Sequence, residues 1–200
     1  EGVPLTDLKI VDVPALDLLV VNAGNIERNN DAIKQSIKNN QEWIKRTMEA
    51  NNLEAAGPLR IITTDFGAER YAFDVAVPVR RKGSSAPAAA AAPAAEGEDK
   101  DAVEAATPAP AFPVAAQGEP LKVKIPDGAP VQYLRTEPRR SAFASYTGYM
   151  AELDAARSAL RAWAVTHGYE VTDRPYEIWK GGVDKSFTAE GTYDIYWPIK

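Results

Sequence analysis

The sequence contains no cysteine and one histidine, His167. That composition excludes disulfides, a thiolate nucleophile, Cys-based zinc sites and any His-rich metal cluster. No metal and no cofactor is expected. A run of about 18 apolar residues, the length a membrane-spanning helix needs, is also missing. Positive charge is not in excess either. The 23 Lys and Arg residues are outnumbered by 28 Asp and Glu, for a net charge of −5. Direct nucleic-acid binding needs a basic face and is not expected. A cysteine-free chain fits either redox environment. The cytoplasm is the expected compartment unless an anchor lies upstream. The chain opens on Glu1 rather than Met, so an upstream domain of a longer protein is expected.

What is present divides into two flanks and an insert. Residues 83–120 are rich in Ala and Pro, carry Glu96, Glu98, Asp99, Asp101 and Glu104, and show no sustained period. Such a stretch buries too little apolar surface to offset its ordering entropy. It reads as a flexible insert between residues 1–82 and residues 121–200. Each flank reads as β-α-β-β. The first opens with LKIVDVPALDLLVVNAG (Leu8 to Gly24) and the second with VQYLR (Val131 to Arg135) and AFASYTG (Ala142 to Gly148). A helix follows each. Ile33, Ile37, Ile44 and Met48 share one helical face, as do Met150, Leu153, Leu160 and Trp163. Asn29 or Asn30 suits the first N-cap and Gly168 the C′ position of the second helix. Pro-led strands come next: LEAAGPLRII (Leu53 to Ile62) and YEVTDRPYEIW (Tyr169 to Trp179).

The last strands repeat one another. FDVAVPV (Phe73 to Val79) and YDIYWPI (Tyr193 to Ile199) share aromatic, Asp, β-branched residue, Pro and aliphatic at an offset of 120. Pro78 and Pro198 are expected to end their strands. Two such flanks, packed as a pseudo-twofold pair, would close one core. The expected fold class is α+β: two β-α-β-β repeats forming a strongly curved, barrel-like antiparallel sheet with two long helices, all in one domain. Alternation places Asp194 and Tyr196 on one face of the last strand and Tyr193, Ile195 and Trp197 on the other.

This pattern resembles the GyrI-like domain, the effector-binding domain of multidrug-responsive bacterial transcription activators. TGYMAELDAARSALRAWAVTHGYE (Thr147 to Glu170), RPYEIW (Arg174 to Trp179) and YDIYWPI carry the resemblance, and GPLRII with FDVAVPV forms a fainter copy. Only the insert lies outside it. The insert is longer than the usual connection, and Asp194 stands where the family usually has Glu. The resemblance implies a cleft between the repeats that holds a hydrophobic, aromatic or cationic small molecule.

The residues support a cleft on their own account. The second flank holds twelve of the 17 bulky aromatics, from Tyr133 to Trp197. Tyrosine and tryptophan carry polar tips that need partners, so a core alone has little use for so many. Aromatic faces also stack on flat ligands and attract cations, and a carboxylate in a dry cleft would favour a positive ligand. The expected ligand-binding residues are Tyr146, Tyr149, Tyr176, Glu177, Trp179, Asp194 and Tyr196, with Glu177 and Trp179 facing the cleft like Asp194 and Tyr196. Two alternatives stand beside the binder. One, which the resemblance also implies, is a hydrolase of strained electrophiles, in which Asp194 or Glu177 orients water and Tyr196 or Tyr146 donates a hydrogen bond. The other, again implied by the resemblance, is a protein-interaction or inhibitor module, with which the acidic balance is compatible.

Overall fold

The computed structural model describes residues 5–83, 115–116 and 118–200. The insert expected at 83–120 therefore lies almost wholly outside the described residues. The chain forms β1 (Thr6–Val13), β2 (Asp17–Glu27), α1 (Asn30–Ala50), β3 (Leu53–Ala55), β4 (Arg60–Phe66), β5 (Arg70–Arg81), β6 (Val131–Arg135), β7 (Arg139–Thr147), α2 (Leu153–Thr166), β8 (Tyr176–Trp179), α3 (Gly182–Ser186) and β9 (Thr192–Pro198). The expected opening strand is in fact two, β1 and β2, separated at Pro14, which cannot continue a ladder.

The strands form one curved, unclosed antiparallel sheet in the order β1-β7-β9-β8-β4-β5-β2-β6, with β3 added beside β5. Its middle is the short β4–β8 pairing, where Arg60 to Ile62 oppose Ile178 to Tyr176. The two outer strands cross over: N-terminal β1 pairs with β7, and β6 pairs with β2. Pro78 does not end its strand. β5 continues to Arg81, and Pro78 opposes Leu18 of β2. On the other side β4 pairs only as far as Ala76, and β3 takes over from Val79. The residue without an N–H thus falls where neither neighbour needs a donor.

Local chemistry fixes the helices. The Asn29 side chain accepts a hydrogen bond from the Ala32 N–H at 2.7 Å and caps α1. Ile33, Ile37, Ile44 and Thr47 are its buried residues, and Met48 packs partly buried against the same core. Complete burial of a side chain such as Ile37 stabilises by about 1.5–3 kcal/mol. Gly168 follows α2 with φ 84°, the left-handed conformation that ends a helix. Both long helices cover the same face of the sheet. Their core holds Leu19, Val21, Ile61, Phe73, Val75, Tyr193 and Ile195 from the strands and Leu153 and Leu160 from α2. A smaller cluster of Val13, Leu16, Leu18, Phe143, Ile178 and Tyr196 lies on the opposite, concave face.

Gly148, in the turn between β7 and α2, has φ 151°. A Cβ built there would come within 2.3 Å of the Tyr146 hydroxyl. That backbone region is nearly reserved for glycine and costs other residues about 1–3 kcal/mol. Gly148→Ala is therefore expected to lower the denaturant midpoint by at least that much, and a urea titration reads it. An unchanged midpoint would show that the turn relaxes freely.

Candidate functional site

Strand alternation and register sort the expected site residues onto two faces. On β9, Tyr193 and Ile195 join the helix-side core while Asp194 and Tyr196 point to the concave face. On β8, Tyr176 opposes Tyr196, and Ile178 opposes Asp194. Tyr176, Ile178, Asp194 and Tyr196 therefore share the concave face. Glu177 and Trp179 do not join them. Both lie on the helix side, because the β8–β9 register puts the even-numbered residues of β8 opposite those of β9. Tyr146 is also on the helix side. It stacks on Tyr193 with ring centroids 5.8 Å apart and donates a short hydrogen bond to Glu152. Tyr149 precedes the 3-10 turn at Met150–Glu152 and is 51% exposed.

Two buried polar groups meet the sheet from opposite sides. On the helix side, Arg157 of α2 donates a short hydrogen bond to Glu177 and lies 3.5 Å from the Tyr71 hydroxyl, which is 2.9 Å from Thr63 Oγ1. Burial pushes the Glu177 carboxyl above its ordinary range, and Arg157 pulls it back. Burial likewise raises Tyr71 to about 12. A cavity of about 110 Å³ beside Tyr71 and Arg157 is smaller than the roughly 300–1,000 Å³ that small-molecule sites occupy. On the concave side, Asp194 is 0% exposed and pairs with Lys180 Nζ at 2.9 Å. The Ser145 hydroxyl donates to the same carboxylate at 2.9 Å. The acid expected to await a positive ligand thus already holds an internal cation.

Aromatic rings continue along the concave face. Tyr176 stacks on Tyr196 with centroids 4.9 Å apart and planes within 7°, and Phe143 meets Tyr196 edge-on at 5.2 Å. The guanidinium of Arg60, from β4, lies over Tyr176 at 5.2 Å. Beside Arg60 and Tyr176 is a cavity of about 790 Å³ where β1, β6 and β9 end and β2, β4, β7 and β8 begin. Val13, Leu16, Leu18, Ile62 and Leu134 supply its apolar wall. Leu16 is tied in place by Thr136, whose Oγ accepts from the Leu16 N–H at 2.9 Å and whose N–H donates to the Leu16 carbonyl at 2.8 Å. Of the residues expected from sequence, only Tyr176 lines this cavity; Asp194 and Tyr196 lie deeper in the same face. Arg60, Leu16, Leu18 and Ile62 were missed. Arg60 carried a signal, since a lone cation inside the apolar run LRII is out of place on an ordinary strand.

No cluster of His, Cys, Asp or Glu among the described residues could hold a metal ion. No helix among them is long and apolar enough to cross a membrane.

The curved antiparallel sheet has helices on one face and a cavity on the other, the architecture that the sequence resemblance implies. Solved structures agree. The C-terminal domain of EcmrR superposes with a TM-score of 0.59 at 14% identity, covering 97% of this chain and 97% of that domain. EcmrR in complex with DNA gives a TM-score of 0.60 at 14% identity, covering 97% of this chain, which spans 57% of the EcmrR chain. A hydrolase from Listeria innocua gives a TM-score of 0.55 at 10% identity, covering 98% of this chain and 93% of that one. No family model matches the chain, and no curated protein matches it significantly.

Proposed function

We propose that the chain is a small-molecule-binding domain made of two facing units, residues 1–82 and 121–200, and that its ligand occupies the cavity at the end of the concave face. The cavity carries this reading. About 790 Å³ is the size that buries most of a drug-sized molecule, and its wall is mainly aliphatic with Tyr176 at one side. The strand order supports the twin units. Reading inward from either edge, β1 corresponds to β6, β7 to β2, β9 to β5 and β8 to β4. Asp74 and Asp194, the repeated acids, then stand on equivalent strands. The comparison with EcmrR supports a sensor role. There a domain of this fold is part of a longer chain found on DNA, and ligand capture here would be relayed to an attached domain.

The hydrolase reading is carried less well. Both carboxylates offered for orienting water are fully buried and committed, Asp194 to Lys180 and Ser145 and Glu177 to Arg157. Nothing in the described surface favours the inhibitor reading beyond net charge. The cavity is tested by filling it. Ile62 lines it from β4, and Ile62→Trp places an indole in the space. A neutral hydrophobic dye, N-phenyl-1-naphthylamine, is expected to raise the Tm of the unaltered protein by mass action and to lose most of that gain in Ile62→Trp. No shift in the unaltered protein, or equal shifts in both, would sink the assignment.

A further inference from the structure

The same cavity carries a buried cation that no carboxylate of the described residues pairs. Arg60 is 3% exposed, and its Nε finds no hydrogen-bond partner. It forms no ion pair among the described residues, in contrast to the other strongly buried cations. Arg157 has Glu177, and Lys180 has Asp194. At the cavity rim the pattern is similar. Arg139 pairs with Asp173, Arg135 with Asp17 and Lys200 with Glu170. Arg174 lies near enough to Asp74 to pull that carboxyl down against the effect of its burial. Among the described residues, Arg60 alone combines deep burial with the absence of a carboxylate.

A buried cation without a counter-ion is costly, because water has been removed and nothing of opposite charge replaces it. The Tyr176 ring, at 5.2 Å, offsets only part of that cost. Burial also pulls the guanidinium below its ordinary range, with Tyr176 and Tyr196 opposing, yet an arginine stays a cation in proteins. The cavity lining as a whole is basic. It has six Arg or Lys side chains against Glu137 and Asp173, in a chain whose net charge is −5. An anion entering between the apolar wall and Arg60 would supply the missing charge where the dielectric is low, so the contact would be strong.

We propose that this cavity takes an amphiphilic organic anion, an aromatic or acyl body bearing one acidic group, with Arg60 receiving the acid and Leu16, Leu18 and Ile62 enclosing the body. The proposal rests on the binding-domain reading above and specifies its ligand class. It departs from the positive ligand that the sequence suggested, because the acid meant for such a ligand is already paired with Lys180.

Two dyes with one body separate the proposal from the reading beneath it. 1-Anilinonaphthalene-8-sulfonate is N-phenyl-1-naphthylamine with an added sulfonate. Fluorescence titration of the folded protein is expected to show the sulfonate form binding about tenfold or more tightly. Arg60→Gln should abolish the preference, leaving the two dyes bound with similar affinity. Equal affinities, or a preference that survives Arg60→Gln, would overturn the anion assignment while leaving the cavity reading intact. Failure of both dyes to bind would remove both. If circular dichroism shows that Arg60→Gln does not fold, displacement from the unaltered protein decides. Octanoate is expected to displace the sulfonate dye at much lower concentration than octyltrimethylammonium. The reverse order would overturn the proposal.

Discussion

Replacing Glu177 by alanine is expected to lower stability by about 3–5 kcal/mol, a fall in Tm of roughly 10 °C for a chain this long. Glu177 is 0% exposed and Arg157 5%. Both were paid for in desolvation when the chain folded, and the remaining return is their mutual attraction. Removing the carboxylate alone leaves a guanidinium deep in the helix-side core. Arg157 also reaches Tyr71 of β5, which touches Thr63 of β4. The loss therefore spreads to the contact between α2 and the strands of the first flank. The double replacement Glu177→Met with Arg157→Met removes both charges and is expected to recover most of the loss, since apolar groups of similar volume often replace a buried ion pair without penalty. Urea titrations of both singles and the double give the coupling. A cost below about 1 kcal/mol for Glu177→Ala would mean that water reaches the pair.

Tyr196 makes a different prediction because its ring and its hydroxyl do different things. The ring is fully buried between Tyr176 and Phe143. Tyr196→Ala opens a cavity in the middle of that stack and is expected to cost about 3–5 kcal/mol. The hydroxyl has no hydrogen-bond partner in the structure, and burial, with Tyr176 and Asp194 nearby, pushes its pKa well above the ordinary tyrosine range. Tyr196→Phe should therefore be neutral within about 1 kcal/mol, or stabilising, since it removes an unsatisfied buried group. Equilibrium unfolding of the two variants separates ring from hydroxyl. A large loss in Tyr196→Phe would reveal a partner for the oxygen and restore interest in it as a proton donor.

How far the sequence spoke for itself is clearest at the β8–β9 hairpin. The alternation in YDIYWP was sufficient to divide Asp194 and Tyr196 from Tyr193 and Ile195, because a strand has only two faces. The same rule applied to YEIW gives two sets but not their phase. Phase depends on which residue of β8 lies opposite which of β9. The connection between them contains α3, a short helix with no strong periodic signal, so the register could not be counted across it. Glu177 and Trp179 were consequently assigned to the wrong partners. Lys180 was invisible for a related reason. It is followed by Gly181 and Gly182, and nothing local in the sequence ties its ammonium to Asp194, 14 residues on, which it reaches at 2.9 Å. The exchange of β1 and β6 was illegible too, because pairing between strands more than a hundred residues apart leaves no local trace.

That exchange has a consequence for how the chain acquires its shape. During synthesis β2, β4 and β5 can meet early, but β2 lacks its outer neighbour until residue 135 has emerged. β1, made first of all, has nothing to dock on until β7 exists. Every terminal ladder is thus settled by a late, long-range encounter, which topology makes slow. Once formed, each flank borders the other at a sheet edge as well as through β4 and β8, so neither can melt without exposing the other. Unfolding should be all-or-none, and a transient opening confined to one flank would be the rarer event.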